Sequence, residues 1–294
     1  MNAVLETLRR AAPAPVKSAV KSMILGMGRN PDRPSLVGRG TVQDLYYWVA
    51  DGRIDTNVLL NNFFSVFFPT TETATHGTMI VHDARGRRIG ATDFSIGHLQ
   101  CVKRTLSRLL RDWYPNGAPA PQFGSLLFTL AIPPAVLAAL AQTQGSFYFW
   151  HRFYIEYVTK SSQPAFVHCV DKTLIHPHGQ SRPMRWYPRP QVRDWAPEMP
   201  LNIEAYRRLS VILMNRTSRR ARVTLAVQDI DDQCRQFTAR IPPNGLHRFE
   251  LNRTVLRGLK PEALRMRVTG LPTTWARPVL FKEFENGTIS TMHC

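Results

Sequence analysis

The last third of the chain has a rhythm that constrains its fold more than any other feature. Short apolar runs at 209–215, 221–229, 234–241, 246–251, 263–269, 278–285 and 288–293 alternate with turn-forming residues. The turns lie at 215–219, Asp231-Asp232, Pro243-Asn244-Gly245 and Asn286-Gly287. Short strands with turns about every 8–12 residues are the signature of an antiparallel β-sandwich. Asn286-Gly287, set between two apolar runs, is the strongest hairpin signal in the chain.

The first half carries the same kind of pattern with one interruption. Strands are expected at 45–49, 77–83, 125–132, 146–159 and 165–170, and the dense run at 58–68 reads as a buried central strand. Ala84-Arg85-Gly86-Arg87 suits a hairpin turn into 88–89. At 147–157 a period of two puts Phe147, Phe149, His151, Phe153, Ile155 and Tyr157 on one face, the expected core. Between strands, Leu106, Leu109, Leu110 and Trp113 recur at helical spacing and predict an inserted helix over 100–114.

These elements give an all-β expectation of two tandem antiparallel β-sandwich domains. An N-terminal amphipathic helical segment and loop would occupy 1–42, the first sandwich 43–170 and the second 203–294. Between them, 171–202 holds six prolines with Trp186, Tyr187 and Trp195, which predicts a connection without regular structure that packs on the surface. Internal duplication is a further expectation. Val81-His82-Asp83 resembles Val227-Gln228-Asp229, and Phe166-Val167-His168-Cys169 resembles Thr291-Met292-His293-Cys294. Each His-Cys pair also follows an Ile-Pro-Pro step, at Ile132 and at Ile241. The first match spans a longer interval than the second, as an insertion in the first half would produce, and the helix at 100–114 is the expected insertion.

Charge narrows the classes of partner. The formal net charge is +17 and arginine supplies most of it, which favours an anionic ligand, a lipid surface or an acidic polymer. Three basic groups stand out. Lys103, Arg104, Arg108 and Arg111 fall on the expected helix. Arg182 and Arg185 flank Trp186 and Tyr187, a pairing that can hold phosphates and stack on rings. Arg216, Arg219, Arg220 and Arg222 surround a hairpin turn. At the N-terminus Val16, Val20, Met23, Ile24 and Met27 form one apolar stripe beside Lys17 and Lys21, suited to a membrane interface or a protein partner.

The alternative reading is a metal-dependent enzyme or metal-binding protein. His168, Cys169, His176, His178, His293 and Cys294 are the candidate ligands, with zinc or another transition metal as the cofactor they suit. Neighbours on a strand point to opposite faces, so a shared site would join one residue from each half. Cys101 near His98 offers a thiol and an imidazole, and Glu283, Glu285, Asp229, Asp231 and Asp232 are carboxylates at strand ends and turns. There is no GxGxxG, GxxxxGK[ST] or GxSxG motif, so no nucleotide cofactor is expected. Four dispersed cysteines, no signal-peptide pattern and no long apolar span lead to the expectation of a cytoplasmic protein, with association at a membrane surface as its variant.

Overall fold

The computed structural model describes residues 40–115, 119–142, 153–160, 162–168, 174–176, 191–195, 202–271 and 277–293. The described chain is mostly β, in small antiparallel sheets. Its first part runs β1 (Thr41–Val49), β2 (Ile54–Asn61), α1 (Phe63–Phe67), β3 (Thr75–Asp83), β4 (Arg88–Ile96) and β5 (Cys101–Thr105). It continues through α2 (Leu106–Trp113), β6 (Phe123–Ala131), α3 (Pro134–Gln142), β7 (Phe153–Thr159), β8 (Ala165–Val167) and β9 (Leu174–His176). The second part comprises β10 (Gln191–Trp195), β11 (Tyr206–Met214), β12 (Ala221–Gln228), β13 (Cys234–Ile241), β14 (Leu246–Leu251), β15 (Arg265–Leu271), β16 (Val279–Phe284) and β17 (Ile289–His293).

Among the described residues these strands form four sheets. Their orders are β4-β3-β6-β1-β9, β5-β2-β7-β8, β10-β15-β12-β13 and β14-β11-β16-β17. The alternation of apolar and polar residues decides which faces are dry. In β12, Val223, Leu225 and Val227 are buried, and they meet Leu209, Val211 and Leu213 of β11 in one core. In the first part Tyr46 packs edge-on against Phe128, with ring centroids 5.4 Å apart, and Phe128 lies 5.1 Å from Phe153. Full burial of each such ring contributes about 2–3 kcal/mol.

β1 is buried at all nine positions, which a strand open on one face could not be. Its even side meets β7 through Tyr46. Its odd side carries Tyr47, whose ring lies 6.2 Å from Phe281 of β16. Ile212, Met214, Leu246, Val279, Phe281 and Ile289 of the second part therefore join the core of the first.

Polar groups lock this contact. The Leu246 N–H donates to the Ala84 carbonyl at 3.0 Å, and Arg216 Nη2 to the Gln43 carbonyl at 3.1 Å. Ser125 Oγ donates to the Asn244 carbonyl. The buried Glu283 carboxylate accepts from Arg53 of the first part and from Arg208. Gly86, at φ 76°, sits where any side chain would overlap the Pro243 carbonyl oxygen.

Several expectations are corrected. The run at 58–68 is not one strand: β2 ends at Asn61 and α1 follows. The inserted helix begins at Leu106, because 101–105 pairs with β2 as strand β5. α1 and α3 add two helices that the sequence reading lacked. The 171–202 connection contains regular structure after all: β9 pairs with β1, and β10 with β15. An edge strand leaves one side of its backbone unpaired, so a proline-rich segment can supply one.

Candidate anion-binding face

Strand pairing turns the outer side of the β10-β15-β12-β13 sheet into a grid. Because Val223, Leu225 and Val227 point inward, Arg222, Thr224, Ala226 and Gln228 point out. The β13 register sets Arg240, Thr238, Gln236 and Cys234 opposite them in that order. The β15 register sets Thr269, Arg267 and Arg265 opposite Thr224, Ala226 and Gln228. Four rows result: Arg222–Arg240, Thr269–Thr224–Thr238, Arg267–Ala226–Gln236 and Arg265–Gln228–Cys234.

The small Ala226 makes the floor of a groove of about 480 Å³, walled by Gln236, Arg267, Gln228, Arg265, Cys234, Thr224 and Thr269. None of the grid residues is acidic. Thr224 and Thr238 share a hydrogen bond at 3.1 Å, and Gln228 Nε2 donates to Asp232 at 2.8 Å. Asp194 of β10 lies opposite Arg267 in the register. The side chains of Arg222, Arg240 and Arg265 are exposed and make no hydrogen bond or ion pair among the described residues. Like charges directly opposite on neighbouring strands cost stability, by a few tenths of a kcal/mol in exposed positions. The Arg222–Arg240 pair is such a juxtaposition.

The sequence-predicted basic residues fare differently. Lys103 and Arg104 stand on β5, not on the helix. Lys103 Nζ binds Glu156 at 2.7 Å, and Asn57 and Thr105 complete the same network at 2.7 Å each. That network occupies the Lys103 charge. Arg108 and Arg111 are exposed on α2, and Arg111 lines a cleft of about 430 Å³ with Arg53 and Lys160. Arg182, Arg185, Trp186 and Tyr187 lie outside the described residues. Of the third group, Arg222 enters the grid. Arg240, Arg265 and Arg267 were missed, although the alternation of 234–240 and the Arg265-Met266-Arg267 spacing would have put them on one face.

Of the candidate metal ligands, His168 is half-buried just past β8. His176 and His293 fall on β9 and β17, with their backbones alone described, and Cys169, His178 and Cys294 lie outside the described residues. Among the described residues no group of three or more His, Cys, Asp or Glu side chains is placed to hold a metal ion. β8 and β17 do lie side by side, and Thr291 Oγ1 donates to the Phe166 carbonyl at 3.0 Å. Cys101 is exposed, with its thiol pKa raised by desolvation. His98 is committed to Thr73 at 2.8 Å and to the Pro69 carbonyl at 3.0 Å.

Of the candidate carboxylates, Asp229 is tied into the backbone. Asp229 Oδ1 accepts the Asp231 and Gln233 N–H groups, both at 2.9 Å, and its Oδ2 accepts the Lys260 N–H at 2.9 Å. Those backbone donors, that of Lys260 first, hold its pKa below the usual carboxylate value.

No family model and no curated protein matches the chain. Among solved structures it is similar to a Bacteroides uniformis β-glucuronidase at 10% identity, with a TM-score of 0.18, over 87% of this chain and 26% of that one. A β-glucuronidase of glycoside hydrolase family 2 gives 9% identity and 0.18, over 87% and 24%. The apo lectin of Pleurotus ostreatus gives 11% and 0.14, over 91% and 79%. The chain spans about a quarter of the length of those glucuronidase chains. Likeness at this level carries no argument about function.

Proposed function

We propose that the protein is a binding module that recognises an anionic partner through the arginine face of the β10-β15-β12-β13 sheet. One observation carries the reading. Arg222 and Arg240 oppose each other in register at one end of the face and exposed Arg265 stands at the other, in a field of donors with no acid among the grid residues. Groups that repel one another in the free protein gain when a polyvalent anion lies between them. From the Arg222 row to the Arg265 row is six residues, roughly 20 Å at about 3.3 Å per residue, so the face suits an extended anion more than a single phosphate.

The test is retention on a polysulfated matrix and titration with soluble polyphosphate across a salt series. Arg222→Gln/Arg240→Gln/Arg265→Gln should weaken binding at least tenfold and flatten its salt dependence, while Lys103→Met leaves both unchanged. Equal loss in the Lys103 variant would reduce the effect to bulk charge, and an unchanged triple variant would dismiss the face.

We propose also that the chain is one eight-strand plan written twice, as two tandem sandwiches. The support is topological. Replacing β1 to β8 by β10 to β17 turns the order β4-β3-β6-β1 into β13-β12-β15-β10, and β5-β2-β7-β8 into β14-β11-β16-β17. The turns after β3 and β12 are built alike: Asp83 Oδ1 accepts from Arg85 and Arg87 as Asp229 does from Asp231 and Gln233. Gly86 and Asp232 take the same left-handed conformation there, at φ 76° and 61°. The Ile155–Val167 pair of β7–β8 matches Leu280–Met292 of β16–β17, in the register that aligns His168 with His293.

Two details of the sequence reading change. Ile132-Pro133-Pro134 follows β6 but Ile241-Pro242-Pro243 follows β13, so those steps are not equivalent. The larger insertion lies between β6 and β7, where α3 stands, because β15 and β16 are joined by a much shorter connection.

The metal reading keeps one supporting observation, the adjacency of β8 and β17. Elemental analysis of untagged protein tests it: stoichiometric zinc, iron or copper lost in His168→Ala would favour it, and metal-free protein would end it.

A further inference from the structure

The first half ends in an apolar tip that the arginine-face reading does not use. Val66 and Phe67 on α1 and Leu99 in the β4–β5 loop are 73%, 49% and 69% exposed. They are held outward by a built scaffold. The Leu99 backbone is left-handed at φ 55°, an unfavourable conformation for a leucine, and its N–H donates to Ser65 Oγ at 2.8 Å. Ser65 Oγ lies 2.7 Å from Thr73 Oγ1, which lies 2.8 Å from His98 Nδ1, while His98 Nε2 lies 3.0 Å from the Pro69 carbonyl. That carbonyl can only accept, so Nε2 carries a proton and donates it there. Asn62 Nδ2 stitches the two loops together through the Thr73 and Gly97 carbonyls, at 2.8 and 2.9 Å.

Charge is sparse in the two segments that carry these side chains, with Glu72 just beyond the first. From residue 58 to 71 there is no ionisable group, and from 94 to 102 His98 and the Cys101 thiol are the ionisable ones. In a chain of net charge +17, such a neutral, outward-held cluster marks a surface meant to lose its water. We propose that this tip inserts into the interfacial layer of a lipid bilayer. A stable protein interface buries about 800 Å² on each side, more than three side chains on loop tips provide. A bilayer needs only shallow burial of a few apolar groups, and the tip enters without dragging an ion into hydrocarbon. The excess positive charge of the whole molecule draws it toward an anionic leaflet.

The experiment is co-sedimentation of the full chain with vesicles of phosphatidylcholine and phosphatidylserine, at low and at high salt. The wild type should retain a salt-resistant component of binding. Phe67→Ser/Leu99→Ser, at exposed positions and with thermal stability measured alongside, should lose that component at least tenfold. The Arg222→Gln/Arg240→Gln variant should keep it. Equal salt-resistant partition of the tip variant would overturn the proposal, as would binding that salt abolishes completely. A wild-type dimer by light scattering that Leu99→Ser dissociates would also overturn it, by making a second copy the occupant of the tip.

Discussion

His82 should make this fold acid-sensitive in a way that one substitution removes. The residue lies on β3, is 5% exposed, and its buried Nδ1 has no hydrogen-bond partner among the described residues. Burial is the main cause that lowers its pKa from 6.5 to about 4; Asp83 opposes the shift and Arg88 adds to it. The folded state thus resists a proton that the unfolded chain accepts. Stability from this group is complete above pH 6.5 and is lost as pH falls from there toward 4. At about 1.36 kcal/mol per pH unit, the full loss is about 3 kcal/mol, with about 2 kcal/mol gone by pH 5.

Urea unfolding of the wild type and of His82→Gln at pH 7, 6 and 5 reads this directly. Glutamine does not titrate, and it occupies the corresponding place in the Val227-Gln228-Asp229 segment. With an m-value of about 3 kcal/mol per molar urea, the wild-type midpoint should fall by about 0.7 M more than the variant's between pH 7 and pH 5. Carboxylates, and His247, whose pKa burial also lowers, titrate in both proteins and cancel in the difference. Parallel midpoint profiles for the two proteins would refute the argument.

Four further substitutions test the contact between the halves and the exposed arginine face. Gly86→Ala meets both a left-handed backbone and the Pro243 carbonyl, so it should cost about 2 kcal/mol or more, read as a lower Tm. Glu283→Ala strips the carboxylate shared by Arg53 and Arg208 and should cost about 3 kcal/mol by urea unfolding; an effect under about 0.5 kcal/mol would show the network to be incidental. Leu127→Arg places a charge in a buried position of β6 and should cost about 3 kcal/mol or more, whereas Arg267→Leu should leave stability within about 0.5 kcal/mol and weaken polyanion binding.

The strands of the second half were legible because period-two alternation and turn residues agree there. β13 and β14 fall where the pattern puts them, and the Asn286-Gly287 turn forms with Gly287 at φ 82°. What misled was apolar density without alternation. Phe63 to Phe68 is as hydrophobic as a buried strand, yet it folds as a short helix, and periodicity alone cannot separate the two in so short a run. Lys103 and Arg104 looked helical because they precede a true helix, and cross-strand pairing with β2 decides their state. The arginine face was hidden for a related reason. Its members come from a hairpin, β12–β13, and from β15 further along the chain, and only the register sets Arg222 beside Arg240 and Ala226 beside Arg267.

On the two-copy reading, one sheet face has been put to two uses. The rows equivalent to the arginine grid in the first half are Thr129–Thr78–Asp93 and Leu127–Ile80–Ala91. Where the second half has Arg267–Ala226–Gln236, the first has three apolar side chains. The neighbouring odd positions of β1, Leu45 and Tyr47, lie on that same face, and Tyr47 meets Phe281 of the second half. In the first copy this face is the platform on which the second copy docks, so burial demands apolar residues and lets Ser125 reach Asn244. In the second copy the equivalent face carries Arg222, Arg240 and Arg265, all exposed. Left in water, it is under no demand for apolar packing, and charge can accumulate there at a cost of only a few tenths of a kcal/mol per like-charged pair. On that reading, docking of the face in one copy and its exposure in the other account together for a dry interface and a cationic face built on equivalent strands.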